Sequence, residues 1–331
     1  MEIVVGSSAG AFLGGSGKPA LGLGEQVIRQ VIKADGAMFA AAADGVYRST
    51  NGGASWARSG VDAGEVWTVG GHPHDSRTLY AGTAPAHLFV SRDGGDTWLE
   101  VDAFLQTPGA ERWCVPNSPQ GARALALAFD PFDTRRMWVG VEVGGVIATS
   151  DAGGHWQASW VGPNADVHLL VPHPARAGVL FATTGFGRND DQPMNPAMAG
   201  PYRSDDGGLT WRYLGSQLAV HYTRAMCVDP RPPHVLTVPA VPDVRSSIRD
   251  PGGAQAMLYR SEDGGETWRL LGDAAHSPSA ARLTAIAPDP ESTGGVLVGT
   301  ETGEVWRVTA DAEWTCLRDG LPAVQALLAL A

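Results

Sequence analysis

The chain has 331 residues, of which 43 are Gly and 23 Pro, so about a fifth of it is turn-forming. Charged residues make up 18% and apolar ones 44%, which excludes a disordered polyelectrolyte, and the glycines keep no three-residue period, which excludes collagen. The formal charge of −11, from 24 basic and 35 acidic residues, repels phosphate backbones and anionic lipid, so neither a nucleic-acid nor a membrane partner is expected.

In chain order, the first segments are two short apolar runs, residues 3–6 and 10–13, that read as strands. Met1 to Gly6 lacks a basic region with an apolar signal core, and no run approaches the roughly 18–20 apolar residues of a bilayer span, so the expected location is cytoplasmic. From Tyr47 onward the chain repeats itself. Ser49-Thr50-Asn51-Gly52-Gly53-Ala54-Ser55-Trp56 returns at residues 91–98, 149–156, 204–211 and 261–268, and a worn copy ends at Trp314. The tryptophan-to-tryptophan steps are 42, 58, 55, 57 and 46 residues, one supersecondary unit per step. Asp or Asn folding onto backbone N–H groups, with glycines supplying positive φ, makes each copy a hairpin turn. Within a unit, an apolar run ends in His72-Pro73, Asp130-Pro131, His173-Pro174, Asp229-Pro230 or Asp289-Pro290. A second strand follows, a third enters the turn, and a fourth leaves the Trp: four antiparallel strands, one propeller blade. The tail, residues 321–328, reads as an innermost strand whose blade is completed by the two head strands; a short amphipathic helix is the alternative.

The motif S-x-D-x-G-x-x-W is identified as the Asp-box, or BNR, repeat. From Tyr47 to Trp314 the chain resembles sialidases, sortilin-type receptors, xyloglucan hydrolases and photosystem assembly factors. The resemblance implies a β-propeller whose Asp-box turns lie away from the ligand face. The expected architecture is thus a single all-β domain over residues 1–331. It is a seven-bladed propeller of four-stranded blades closed between the N- and C-terminal strands, with six blades as the alternative count.

The long insertions, residues 102–122, 185–200 and 239–256, fall on the face opposite the Asp-box turns, which is the expected binding face. Aligned on the Pro turns, the inner strands place Glu65, Arg123, Asp166, Tyr222 and Arg282 at one level of the channel mouth. Trp67, Leu125, His168, Arg224 and Thr284 stand at the next, with Gln30 and Gln325 in the end blades. A wet polar channel without chemistry is the plain reading of this ring. The functional reading is that Arg123, Arg224 and Arg282 hold a carboxylate through their guanidinium forks.

The resemblance to sialidases implies such an arginine triad, with Tyr222 beside Glu65 as nucleophile pair and Asp166 as acid. The missing Phe-Arg-Ile-Pro segment and the seventh blade depart from that family. A broader glycosidase needs two carboxylates roughly 5–10 Å apart, with Glu65 and Asp166 as the first pair and Asp190, Asp191 and Asp243 as replacements. Proton transfer by His168, His221 and Tyr222 is the third possibility. Trp67, Trp113 and Gln325 complete the expected substrate contacts; Trp160 and Phe186 are further aromatics for stacking. Cys114, Cys227 and Cys316 have no metal or disulfide spacing, although Cys114 sits in a long loop beside Trp113 and is a candidate nucleophile. His72-Pro73-His74-Asp75 belongs to the Pro-turn series on the opposite face, so no metal and no cofactor is expected. These readings converge on a propeller enzyme, a hydrolase or lyase, acting on a small carboxylate-bearing or sugar-like molecule; the alternative is a non-catalytic binding or assembly scaffold.

Overall fold

The computed structural model describes residues 1–14, 19–115, 118, 121–187, 194–245 and 251–330. Among these the strands form seven antiparallel sheets. The first blade is Ile28–Ala34, Ala37–Ala42, Gly45–Ser49 and Ala57–Gly60, and the second Glu65–Gly71, Leu79–Ala84, Leu88–Ser91 and Leu99–Glu100. The third is Arg123–Phe129, Met137–Glu142, Gly145–Thr149 and Gln157–Ser159, and the fourth Val167–Pro172, Leu180–Thr184, Gly200–Ser204 and Arg212–Tyr213. The fifth is Cys227–Val228, Leu236–Ala240, Met257–Ser261 and Arg269–Leu270, and the sixth Leu283–Pro288, Val296–Thr300, Val305–Val308 and Trp314–Arg318.

The seventh sheet orders Gly10–Leu13 beside Glu2–Ser7 beside the tail strand Val324–Leu330, so the two ends of the chain share one blade, as expected. The tail is a strand and not a helix, because pairing with Glu2–Ser7 satisfies its backbone and removes an open edge. That blade has three strands among the described residues, with one bridge from Phe12 to Pro19 in the place of a fourth.

Burial peaks at the second strand of a blade and falls outward from it. The second strands Ala37–Ala42, Leu79–Ala84 and Met137–Glu142 are buried at every position because a neighbouring blade covers each face, whereas Leu99–Glu100 is exposed throughout. Inner strands alternate, as in Arg123–Phe129, between the inter-blade core and the axial channel. Glycines in the second strands set the blade spacing. A Cβ on Gly82 would stand 2.7 Å from the Ala124 carbonyl oxygen of the next blade, and one on Gly140 would stand 2.9 Å from Val167 Cγ1. Shared apolar clusters fill the seams; Val179, Phe181 and Leu214 of the fourth blade, for example, pack with Val228, Leu236 and Val238 of the fifth.

The five Asp-box turns share one hydrogen-bond pattern. The Ser or Thr hydroxyl donates to Oδ1 of Asn51, Asp93, Asp151, Asp206 or Asp263. The same hydroxyl oxygen accepts the N–H of the glycine four residues on, whose φ lies near +90° in each turn. Two tryptophans then reach into the preceding blade, where Trp98 Nε1 donates to Ser59 Oγ and Trp268 Nε1 to the Leu214 carbonyl. The worn sixth copy lacks the carboxylate clip and closes through Thr309 and Glu313.

Candidate functional site

A repeated irregularity builds the channel lining. In six blades the register between the inner strand and its neighbour slips by one residue near the mouth, and the residue stepped over is Arg29, Trp67, Leu125, His168, Thr284 or Gln325. In the fifth blade Tyr222 bridges Val241 and Cys227 pairs Thr237, again one residue too many, with Arg224 in the gap. A β-bulge re-aims its extra side chain, and here the extra residue of each inner strand lines the axial channel. The inner strands begin on the face that carries the long insertions, opposite the Asp-box turns, as the antiparallel order requires.

The channel holds a cavity of about 950 Å³. Four arginines from four blades line it: Arg29, Arg123, Arg224 and Arg282. Arg29 Nη2 pairs with Glu65 Oε2 at 2.9 Å, and its guanidinium carbon lies 4.1 Å from the Trp67 ring centroid; that of Arg123 lies 4.8 Å from the same ring. Burial pulls the Arg29 guanidinium below its usual range, with Glu65 opposing and Arg123 reinforcing the shift. Arg123 Nη1 holds Glu142 Oε2 at 2.7 Å. Arg282 donates through Nη2 to the Val244 carbonyl at 2.5 Å and through its main-chain N–H to Glu301 Oε1 at 2.8 Å. The Arg224 guanidinium has no hydrogen-bond or ion-pair partner among the described residues and is exposed within the cavity.

Tyr222 joins these groups. Its ring meets those of His168, at 5.9 Å, and Phe186, at 5.7 Å, edge-on. Burial pushes its phenol up to about 12; Arg224 and Arg282 pull it down, and Asp166 and Glu142 push it up. The hydroxyl therefore stays protonated at neutral pH. Asp166 is buried with Oδ2 accepting the Gly187 N–H at 2.7 Å and Oδ1 3.2 Å from His168 Nε2. Burial opposes its ionisation, but the His168 charge, the Gly187 N–H and Arg224 outweigh it and hold the carboxyl below the ordinary carboxylate range.

Of the expected residues, the structure brings Trp67, Arg123, His168, Tyr222, Arg224, Arg282 and Gln325 into the cavity lining. Glu65 and Asp166 stand behind that lining as partners of Arg29 and His168. His221 points its Nδ1 at the Ala199 carbonyl, 2.7 Å away at the fourth blade, and Trp113 packs at 5.1 Å on Phe104 in the core between the second and third blades. Neither is part of the lining. Asp190 and Asp191 lie outside the described residues. Cys227 is buried, while Cys316 is exposed on its outer strand. Two residues escaped the sequence reading. Arg29 occupies the bulge position that the alignment gave to Gln30, because the first blade's inner strand ends in Asp35-Gly36 without a proline to anchor the register. Glu142 closes the end of a second strand, where only inner strands had been aligned.

No family model matches the chain. It is 26% identical over 229 residues to the oligoxyloglucan-reducing end-specific xyloglucanase of Emericella nidulans, covering 60% of this chain and 26% of that protein. It is 24% identical over 265 residues to the xyloglucanase Xgh74A of Acetivibrio thermocellus, covering 68% and 28%. The chain thus spans about a quarter of the length of these curated relatives. Among solved structures, the GH74 xyloglucanase from Xanthomonas campestris superposes with a TM-score of 0.70 at 22% identity, over 96% of this chain and 52% of that one. YCF48 from Cyanidioschyzon merolae gives 0.50 at 12% identity, over 76% and 71%. The molecule is a seven-bladed β-propeller of the Asp-box type. In fold it is similar to the GH74 xyloglucanases, with which it shares a distant sequence similarity.

Proposed function

We propose that this propeller is a carbohydrate-active enzyme, a hydrolase or lyase, whose substrate presents a carboxylate to the axial cavity. The observation that carries the reading is the convergence of four guanidinium groups from four blades on one cavity, one of them, Arg224, unengaged. Arginine forks favour a planar anion, which they hold bidentately, over a neutral hydroxyl surface. The distant likeness to xyloglucanases supports a sugar as the scaffold that carries the anion, and a cavity of about 950 Å³ is of the size that takes a small ligand. Arg224 and Arg282 would hold the carboxylate, Arg123 and Trp67 would face the sugar ring, and the protonated Tyr222 would offer its hydroxyl as a hydrogen-bond donor to the ligand.

Calorimetric titration with glucuronate, galacturonate and glucose tests binding. The expected result is a preference for the uronates that Arg224→Ala weakens by about tenfold or more. Equal binding of charged and neutral sugars overturns the proposal. Incubation with xyloglucan oligosaccharides and with oligouronides then separates the chemistries: new reducing ends alone mark a hydrolase, and ultraviolet absorbance of a new C=C bond marks a lyase. Uronate binding with neither product marks the non-catalytic alternative.

A further inference from the structure

We propose that Glu142, Asp166 and His168 form a site for one first-row divalent metal ion in the wall of the axial cavity. One ligand atom from each residue lies within 4.8 Å of the others, and all three side chains are buried. Two blades contribute: Glu142 ends the second strand of the third, and Asp166 and His168 begin the inner strand of the fourth.

His168 and Asp166 form an ion-pair contact whose spacing also suits two ligands of one ion. His168 Nε2 and Asp166 Oδ1 approach to 3.2 Å, yet this buried oxygen has no hydrogen-bond partner among the described residues. Ligand atoms held at about 2.1 Å from one ion lie roughly 3.0–3.4 Å apart, which this contact already satisfies, and the remaining spacing closes by no more than about 2 Å of side-chain movement.

The outer contacts agree. Metal-binding imidazoles direct their other ring nitrogen to a carbonyl, and metal-binding carboxylates are themselves hydrogen-bonded. His168 Nδ1 faces the Thr223 carbonyl at 3.5 Å, Asp166 Oδ2 accepts the Gly187 N–H at 2.7 Å, and Glu142 Oε2 accepts from Arg123 at 2.7 Å. Each contact leaves the other ligating atom of its residue for an ion. Glycines keep the space open, since a Cβ on Gly185 would come 2.3 Å from Asp166 Oδ2 and 2.9 Å from His168 Nε2. One imidazole with two carboxylates suits Zn²⁺, Mn²⁺ or Co²⁺ better than Ca²⁺, which prefers an all-oxygen shell. An ion there would lie beside His168 and Tyr222, just behind the cavity lining.

Metal-stripped full-length protein titrated with Zn²⁺, Mn²⁺ and Co²⁺ by calorimetry, with the visible spectrum of Co²⁺ as a second readout, tests the site. One ion per chain is expected. Asp166→Asn, His168→Gln and Glu142→Gln should each weaken it at least tenfold, and Asp62→Asn on the exposed surface should leave it unchanged. Circular dichroism checks each fold; Glu142→Gln retains an acceptor for Arg123 and supplies the test if either fourth-blade variant unfolds. Absence of stoichiometric uptake by the wild type, or unchanged affinity in the folded variants, overturns the proposal. Metal uptake and uronate binding are read separately, so loss of either claim leaves the other standing.

Discussion

Gly82→Ala tests whether blade spacing shapes the cavity. Gly82 lies in the second strand of the second blade, and a methyl there would stand 2.7 Å from the Ala124 carbonyl oxygen, 2.8 Å from Thr68 Cγ2 and 2.9 Å from Ala124 Cβ. The first of these is backbone of the next inner strand, so no rotamer change relieves it. The third blade must shift. Overpacking of this kind costs about 1–3 kcal/mol, and a backbone obstacle places this variant in the upper half of that range. Ala124 adjoins Arg123, so the shift also loosens the stacking of Arg123 on Trp67, now at 4.8 Å. Equilibrium urea unfolding followed by tryptophan fluorescence should show a loss of about 2–3 kcal/mol, and uronate affinity should fall with it. A loss below about 0.5 kcal/mol, or unchanged ligand affinity in a destabilised variant, would refute this account of the seam.

Two further outcomes are expected. Asp263 accepts from Ser261 Oγ and from the Thr267 amide and hydroxyl at 2.6–2.9 Å. Burial opposes its ionisation, but these donors lower its carboxyl to about 2 from 3.8. Asp263→Ala should therefore cost about 1 kcal/mol at neutral pH, and wild type and variant should converge as the pH falls from 3.8 toward 2 and the wild-type carboxylate is protonated; parallel unfolding curves would count against the clip. His173 is buried against Phe181 and His234 with Nδ1 accepting the Ala175 N–H. Burial, then the charges of His234, Arg176 and Arg203, lower it from 6.5 to about 4. The unfolded chain then takes up this proton first, so the wild type should lose stability as pH falls from 6.5 to about 4. His173→Asn, which keeps an acceptor for the turn, should lose less over the same window; an identical pH profile would remove His173 as the cause.

The repeat made the architecture legible because each Asp-box turn is local: Ser91, Asp93 and Gly95 bond within four residues of one another, so the spacing in the chain is the spacing in space. Counting tryptophans and joining Glu2–Ser7 to Val324–Leu330 yields seven blades for the same reason, since every blade repeats one hydrophobic pattern. The Pro turns likewise carried the inner-strand alignment far enough to place Trp67, Arg123, His168, Tyr222, Arg224 and Arg282 together. That alignment failed at Arg29, where no proline fixes the register, and it had no means of excluding His221 or Trp113, whose rings are turned away by the Ala199 carbonyl and by Phe104. Glu142 shows the limit most clearly. It pairs with Arg123 within its own blade but faces Asp166 and His168 of the next, through an approach set by how adjacent sheets rotate and how closely glycines let them come. Local turns and strand periods are written along the chain. The pairing of charges across a seam depends on the distance between sheets, which only the closed ring fixes.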